Sequence, residues 1–138
     1  MAYIIPNKFP VDTLPDVAVG VSVPFSGVAV FNQTYLTQDQ IKSNLINFFL
    51  TNKGERYLNP NFGGNLRKLL FKSIDSNSLD TMELEIKHQL RTLFPNITIN
   101  NLEITAHPSN NLVNVSLDYQ VLNQSPDNIQ VNFSTDAL

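Results

Sequence analysis

Residues 50–71 read LTNKGERYLNPNFGGNLRKLLF. An apolar helical pattern runs into Leu50 and a shorter one opens at Asn65, so the segment between them is a connection. Its punctuation is dense. Gly54 suits the left-handed position just past a helix end. Asn59-Pro60-Asn61 reads as a turn, with Asn59 pushed towards extended backbone by the proline ring. Gly63-Gly64 opens backbone angles closed to other residues. Glu55, Arg56 and Arg67 bring charge into this turn-rich segment. A charged, turn-rich connection between apolar helices is suited to holding polar groups at fixed positions.

Upstream, Thr37 predicts a helix N-cap, with Gln40 three residues on completing a capping box. The helix runs to about Asn52. Ile41, Leu45, Phe48 and Phe49 share one stripe, which Ile46 and Leu50 widen, as expected of a core helix. Residues 17–36, VAVGVSVPFSGVAVFNQTYL, alternate apolar and small residues and break at Pro24 and Ser26-Gly27. Two short strands or one kinked edge segment fit that pattern. Before them, Pro6, Pro10 and Pro15 exclude a helix, so residues 1–18 form an extended arm. A disordered terminus and a strap ordered by a neighbouring subunit both fit. Tyr3, Ile4, Ile5, Phe9, Val11 and Leu14 favour the strap, because disordered tails seldom carry so much apolar surface. The prolines also interrupt the apolar region that a secretion signal needs.

Downstream, Leu66, Leu69, Leu70 and Phe71 give one or two helical turns. Asp75 or Ser76 caps a third helix that extends to about Phe94, where Pro95 stops it. Leu79, Met82, Ile86, Leu90 and Leu93 step by three and four along its apolar face. Glu83 and Lys87 form a favourable four-residue pair. The period then changes to two. Ile97 and Ile99 alternate, the pattern slips at Asn100-Asn101, and Leu102, Ile104 and Ala106 resume it. Residues 107–111 form a turn, Leu112 to Val121 a second strand, residues 124–128 another turn, and Ile129, Val131 and Phe133 a third strand. The order predicts an α+β fold: a helical layer of about three helices on one face of a small antiparallel sheet. Residues 19–134 make one domain, between the arm at 1–18 and a tail at 135–138. The last strand leaves a free edge rich in Asn and Gln and thinly charged, open to a partner's strand.

Composition narrows the function. Hydrophobic residues are 42% of the chain and charged residues 15%, which is apolar enough to fold and poorly charged for a lone soluble surface. Such a surface suits a subunit covered by partners. The formal net charge of −3 provides no basic footprint for nucleic acid. With no cysteine, disulfides and thiolate metal sites are excluded. No apolar run approaches membrane-spanning length.

Gly54-Glu55-Arg56, then Pro60-x-Phe62-Gly63, then Leu66-Arg67, resembles the signature of the small baseplate wedge subunit of contractile phage tails. That family also occurs in type VI secretion and related injection machines and often carries a lysozyme-like label. The lead-in QIKSNLINFFLTNKGE at 40–55 matches its first long helix, and the resemblance covers roughly Val19 to Val121. It implies a structural, non-catalytic subunit in the tail baseplate of a virion, assembled in the host cytoplasm. Glu55, Pro60 and Arg67 would dock into a helical bundle of larger wedge proteins, with Gly54, Arg56, Phe62 and Gly63 supporting the loop. The sheet would be similar to the sheath protein's interlocking domain. Its edge at Ile129, Val131, Asn132 and Phe133 would template the first sheath ring, in six copies around the tail tube. For Glu55 and Arg67 an internal pair that pins the loop is the competing role.

The lysozyme-like label implies a rival function, peptidoglycan cleavage, and a generic adaptor using its strand edge is a third. Glycoside hydrolysis normally takes two carboxylates flanking one bond. Glu55 is the single acid of the dense stretch; Asp39, Asp75 and Asp80 lie away from it in sequence, and folding can still bring any of them near enough to pair with it. Arg56 and Arg67 beside Glu55 would keep it ionised, which spoils a general acid. The chain has no tryptophan to serve as a sugar platform. His88, on the polar side of a helix, and His107, in a turn, share no metal-ligand spacing, and no phosphate-binding glycine motif occurs. No metal or cofactor is expected. Lys53, Arg56, Arg67, Lys68 and Lys72 form a mild basic cluster, protein-facing or solvated.

Overall fold

A computed structural model describes residues 12, 16–23, 33–71, 75–122 and 124–134. Most of the arm at 1–18, the break at Pro24 and Ser26-Gly27, Lys72 and the tail at 135–138 lie outside the described residues. Two two-residue strands, β1 (Gly20–Val21) and β2 (Gln33–Thr34), pair antiparallel. Helix α1 spans Thr37–Leu50, a 3₁₀ segment Leu66–Leu70, and helix α2 Ser76–Leu93. Strands β3 (Ile97–His107), β4 (Leu112–Val121) and β5 (Asp127–Ser134) follow as an antiparallel meander in the order β3-β4-β5. The class is α+β as the sequence indicates. The middle helix of the expected three is only a five-residue 3₁₀ segment, bounded by Asn65 at φ 57 and by Phe71, and a run this short suits the tighter i→i+3 bonding.

The sheet follows its side-chain period. Val113, Val115, Leu117, Tyr119 and Val121 of β4 are buried, and Ile129, Val131 and Phe133 of β5 lie beside them on the same face. In β3 the buried set changes parity, from Ile97 to Leu102 and Ile104. A bulge between Ile99 and Asn101 makes the change, at the slip seen in the sequence. α1 packs on β5, α2 on β3, and the 3₁₀ segment on β4 and β5, so all three cover the apolar face. Leu45, Phe48 and Phe49 of α1, Leu66 and Leu69 of the 3₁₀ segment, and Ile86 and Leu90 of α2 are buried. Each such side chain contributes about 1.5–3 kcal/mol by leaving water. Leu93, expected in the core, is partly exposed at the end of α2. The Glu83–Lys87 pair forms at 2.7 Å.

The start of α1 differs from expectation. Leu36, not Thr37, is the cap residue, and it offers no side-chain acceptor. Thr37 is already helical. Its N–H and Oγ1 both donate to Asp12 Oδ1, at 2.9 and 2.8 Å. The acceptor a helix start needs thus comes from 25 residues upstream, and its negative charge suits the helix N-terminus. Gln40 makes no capping box; its Oε1 accepts from Thr34 Oγ1 at 2.6 Å, tying β2 to α1. At the opposite side, Lys42 Nζ reaches Asp127 Oδ2 at 3.0 Å and Tyr119 hydroxyl donates to the same oxygen at 3.3 Å, joining α1 to β4 and β5. No described helix is long and apolar enough to cross a membrane.

Candidate docking loop

The connection 51–65 is shaped by its own backbone. Thr51 leaves α1 in extended conformation, with its N–H and Oγ1 both donating to Asn47 O. Gly54, at φ 90, donates its N–H to Pro60 O at 2.7 Å, closing a neck around residues 55–59. Phe62 N–H donates to Asn59 O at 3.1 Å and completes the turn at Pro60-Asn61. The chain then folds back on the end of α1: Gly64 N–H donates to Phe48 O at 3.0 Å and Asn65 N–H to Thr51 O at 3.4 Å. Gly63 passes so close, at φ 126, that a Cβ there would lie 2.5 Å from Thr51 O. Only glycine fits both the angle and the approach.

Phe62 seats the loop in the core. Its ring meets Phe48 edge-on at 5.4 Å, and Phe48 also meets Phe49 and Phe94 edge-on. The Arg56 guanidinium lies 3.8 Å above the outer face of Phe62, a cation–π contact that holds the loop wall. Glu55 is clamped from within: Asn52 N–H donates to Oε2 at 3.0 Å and Asn52 Nδ2 to Oε1 at 2.8 Å. These bonds, the backbone one foremost, hold its carboxyl below the ordinary glutamate value; Arg67 adds a weaker pull. The sequence assigned that role to the arginines. Arg56 is turned onto Phe62, and among the described residues no ion pair joins Glu55 to Arg67. Lys53, by contrast, is paired with Glu85 of α2.

Glu55, Pro60 and Arg67 are therefore all exposed at one end of α1, while Phe62 and Gly63 are buried beneath them. The β5 set divides differently. Ile129, Val131 and Phe133 point into the core, Asn132 faces out opposite Asn114, and β5 is an edge strand of its sheet. Among the described residues, open clefts flank the helices at two places. One, of about 680 Å³, lies between β2 and α1 and has Asp39 as its single carboxylate among the described lining residues. The other, of about 270 Å³, lies under Arg56 and Phe62 and has none. His88 and His107 are exposed, and no group of three metal-ligating side chains occurs among the described residues.

A family model described as baseplate wedge protein gp25 matches residues 36–126, from the residue before α1 to the turn after β4. This chain belongs to the baseplate wedge protein gp25 family. As a member of the gp25 family it is a structural component of a tail baseplate, in a virion or phage-like particle. Solved structures share the architecture. A Geobacter sulfurreducens protein described as a tail lysozyme superposes with a TM-score of 0.59 at 21% identity, covering 70% of this chain and 89% of that one. A chain of the six-fold symmetrised anti-feeding prophage baseplate gives a TM-score of 0.50 at 16% identity, covering 82% of each. At such identities these likenesses establish the fold. Among curated proteins none matches.

The sequence did not reveal how bare the tip of the loop is. Tyr57 and Leu58 are 97% and 94% exposed. One sign of it was available: an apolar pair between Glu-Arg and Asn-Pro, in phase with neither neighbouring helix. Asn52 as the clamp of Glu55 had no sequence signal, because an amide after a helix end has many uses.

Proposed function

We propose that this gp25-family chain docks through Glu55, Pro60 and Arg67 onto larger wedge proteins and templates the first ring of tail sheath along the β5 edge. Residues 19–134 act as the wedge domain, in six copies around the tail tube, and residues 1–18 as an arm that orders on a neighbour. The subunit is assembled in the host cytoplasm and performs no catalysis. The observation that carries this reading is the loop itself. Its backbone is closed by internal hydrogen bonds, yet Glu55, Pro60 and Arg67 face solvent. Polar groups preorganised in this way lose little freedom on binding. The tail-lysozyme description of the Geobacter neighbour favours cell-wall cleavage instead. Against that stand the ionised Glu55 and the scarcity of carboxylates among the described residues lining the clefts.

One panel of particles, imaged by electron microscopy, tests the reading. Glu55→Ala and Arg67→Ala should fold normally in isolation and be missing from baseplates. Asn132→Pro should enter baseplates and leave tail tubes unsheathed, whereas Asn132→Ala should give normal tails, since proline removes a backbone donor from the edge strand. Melting of each isolated variant separates unfolding from failed assembly. Complete baseplates with both loop variants, or turnover in a cell-wall zymogram that Glu55→Gln abolishes, would overturn it.

A further inference from the structure

The loop tip carries two large side chains that the fold leaves almost wholly in water. Burial of large apolar side chains is favourable, yet Tyr57 and Leu58 stay outside while Phe62, close by in the chain, fills the core. Isolated exposed apolar residues are ordinary. This pair is adjacent, and it sits above a neck closed by the Gly54–Pro60 hydrogen bond. The charged neighbours are already committed, Glu55 to Asn52 and Arg56 to the Phe62 ring. Arg67 and Lys68 are different. Both are exposed, and neither has an ion-pair partner among the described residues. Arg67 lies two residues past Asn65, whose N–H is bonded to Thr51 O, so that cation stands near the foot of the same loop.

We propose that Tyr57 and Leu58 are an apolar anchor that enters a slot on a partner protein whose rim is acidic. The proposal rests on the docking reading and deepens it by naming the groups that carry the affinity. The desolvated aromatic and aliphatic pair holds the complex, while Arg67 and Lys68 steer and orient it against the acidic rim. Tyrosine is among the side chains most often found at the centre of such contacts. A lipid surface fits less well, because two side chains bury too little apolar area for stable anchoring. A second copy fits less well because several of its carboxylates, Glu83, Glu85 and Asp127, are already paired with its own Lys87, Lys53 and Lys42.

The test compares full-length Tyr57→Ser/Leu58→Ser with Glu55→Ala, Tyr57→Phe and wild type, as the fraction of each incorporated into particles. The double variant should melt like wild type, since both side chains are exposed, but incorporate roughly thirtyfold less. Tyr57→Phe, which keeps the aromatic ring, should incorporate well above the double variant, and a loss as deep as the double variant's would overturn the apolar anchor. Normal incorporation of the double variant beside loss of Glu55→Ala would overturn the anchor and leave the docking reading standing. Normal incorporation of both would overturn the two together. Sedimentation of wild type as a dimer that the double variant loses would assign the tip to a second copy. Co-sedimentation with phosphatidylcholine vesicles containing phosphatidylserine would assign it to lipid. Either result overturns the proposal.

Discussion

The C-terminal sheet and the 51–65 loop are built on opposite plans. In the sheet, alternate side chains of β4 and β5 go inward, and burial holds the strands in register. In the loop, backbone groups do the holding: Gly54 to Pro60, Phe62 to Asn59, Gly64 to Phe48 and Asn65 to Thr51. Phe62 anchors the loop in the core, and residues 54–61 are left facing water. A sheet of this kind states its core to any reader of its pattern. A loop of this kind keeps its shape while its surface remains available to a partner. Phe48 is the point where the two plans meet, since its ring packs on Phe62 and its carbonyl receives Gly64.

Removing that junction should have the largest effect. Phe48→Ala should cost about 3–5 kcal/mol in urea unfolding. In native-state hydrogen exchange it should speed the Gly64 amide more than amides at the centre of β4. Equal acceleration at both would show that loop and sheet form one cooperative unit and would dissolve the distinction.

The two positive-φ glycines sharpen it. Gly63→Ala should cost about 2–3 kcal/mol, because strain at φ 126 is joined by a clash with the Thr51 carbonyl. Gly54→Ala meets open space and should cost about 1 kcal/mol from its angle alone. Equal losses, read from denaturant midpoints, would mean that the close approach at Gly63 does not matter.

The smallest effect concerns the polar tie between α1 and the sheet. Partial burial raises the Asp127 carboxyl, but the Lys42 ammonium, the Asn128 N–H and the Tyr119 hydroxyl outweigh it and leave the carboxyl below its ordinary value. Burial and the same carboxylate push the Tyr119 hydroxyl far above the usual phenol range. A carboxyl lowered in the folded state stabilises the protein above its unfolded value, near 3.9, and that stabilisation is lost as pH falls through the folded value. Asp127→Asn should therefore cost about 0.5 kcal/mol from neutral pH down to about pH 4, solvent screening keeping the figure small. The variant and wild type should converge in stronger acid. A gap that persisted at pH 2 would show that the tie acts by packing instead of charge.

Much of this was legible in the residues. The bulge at Ile99 and Asn101 is written as a change of apolar parity, and β4 has the bounds its alternation suggests. Gly54 and Gly63 adopt the angles their positions invite. The capping of α1 was misread because Thr37 has the right chemistry and Asp12, which supplies the acceptor, is distant in sequence. The ionised state of Glu55 was foreseen and its main cause was not, since Asn52 becomes its partner only when the chain turns back on itself.

By itself the sequence determined what depends on local period and local angle: the two helices, the meander, the bulge and the turn-rich loop. These follow from side-chain spacing and backbone sterics, which act between near neighbours. Tertiary structure alone decided which groups meet. Asp12 came to cap α1, Lys42 came to Asp127, and Arg56 turned onto Phe62. Those outcomes depend on distances set by packing of the whole chain, which residue spacing does not encode.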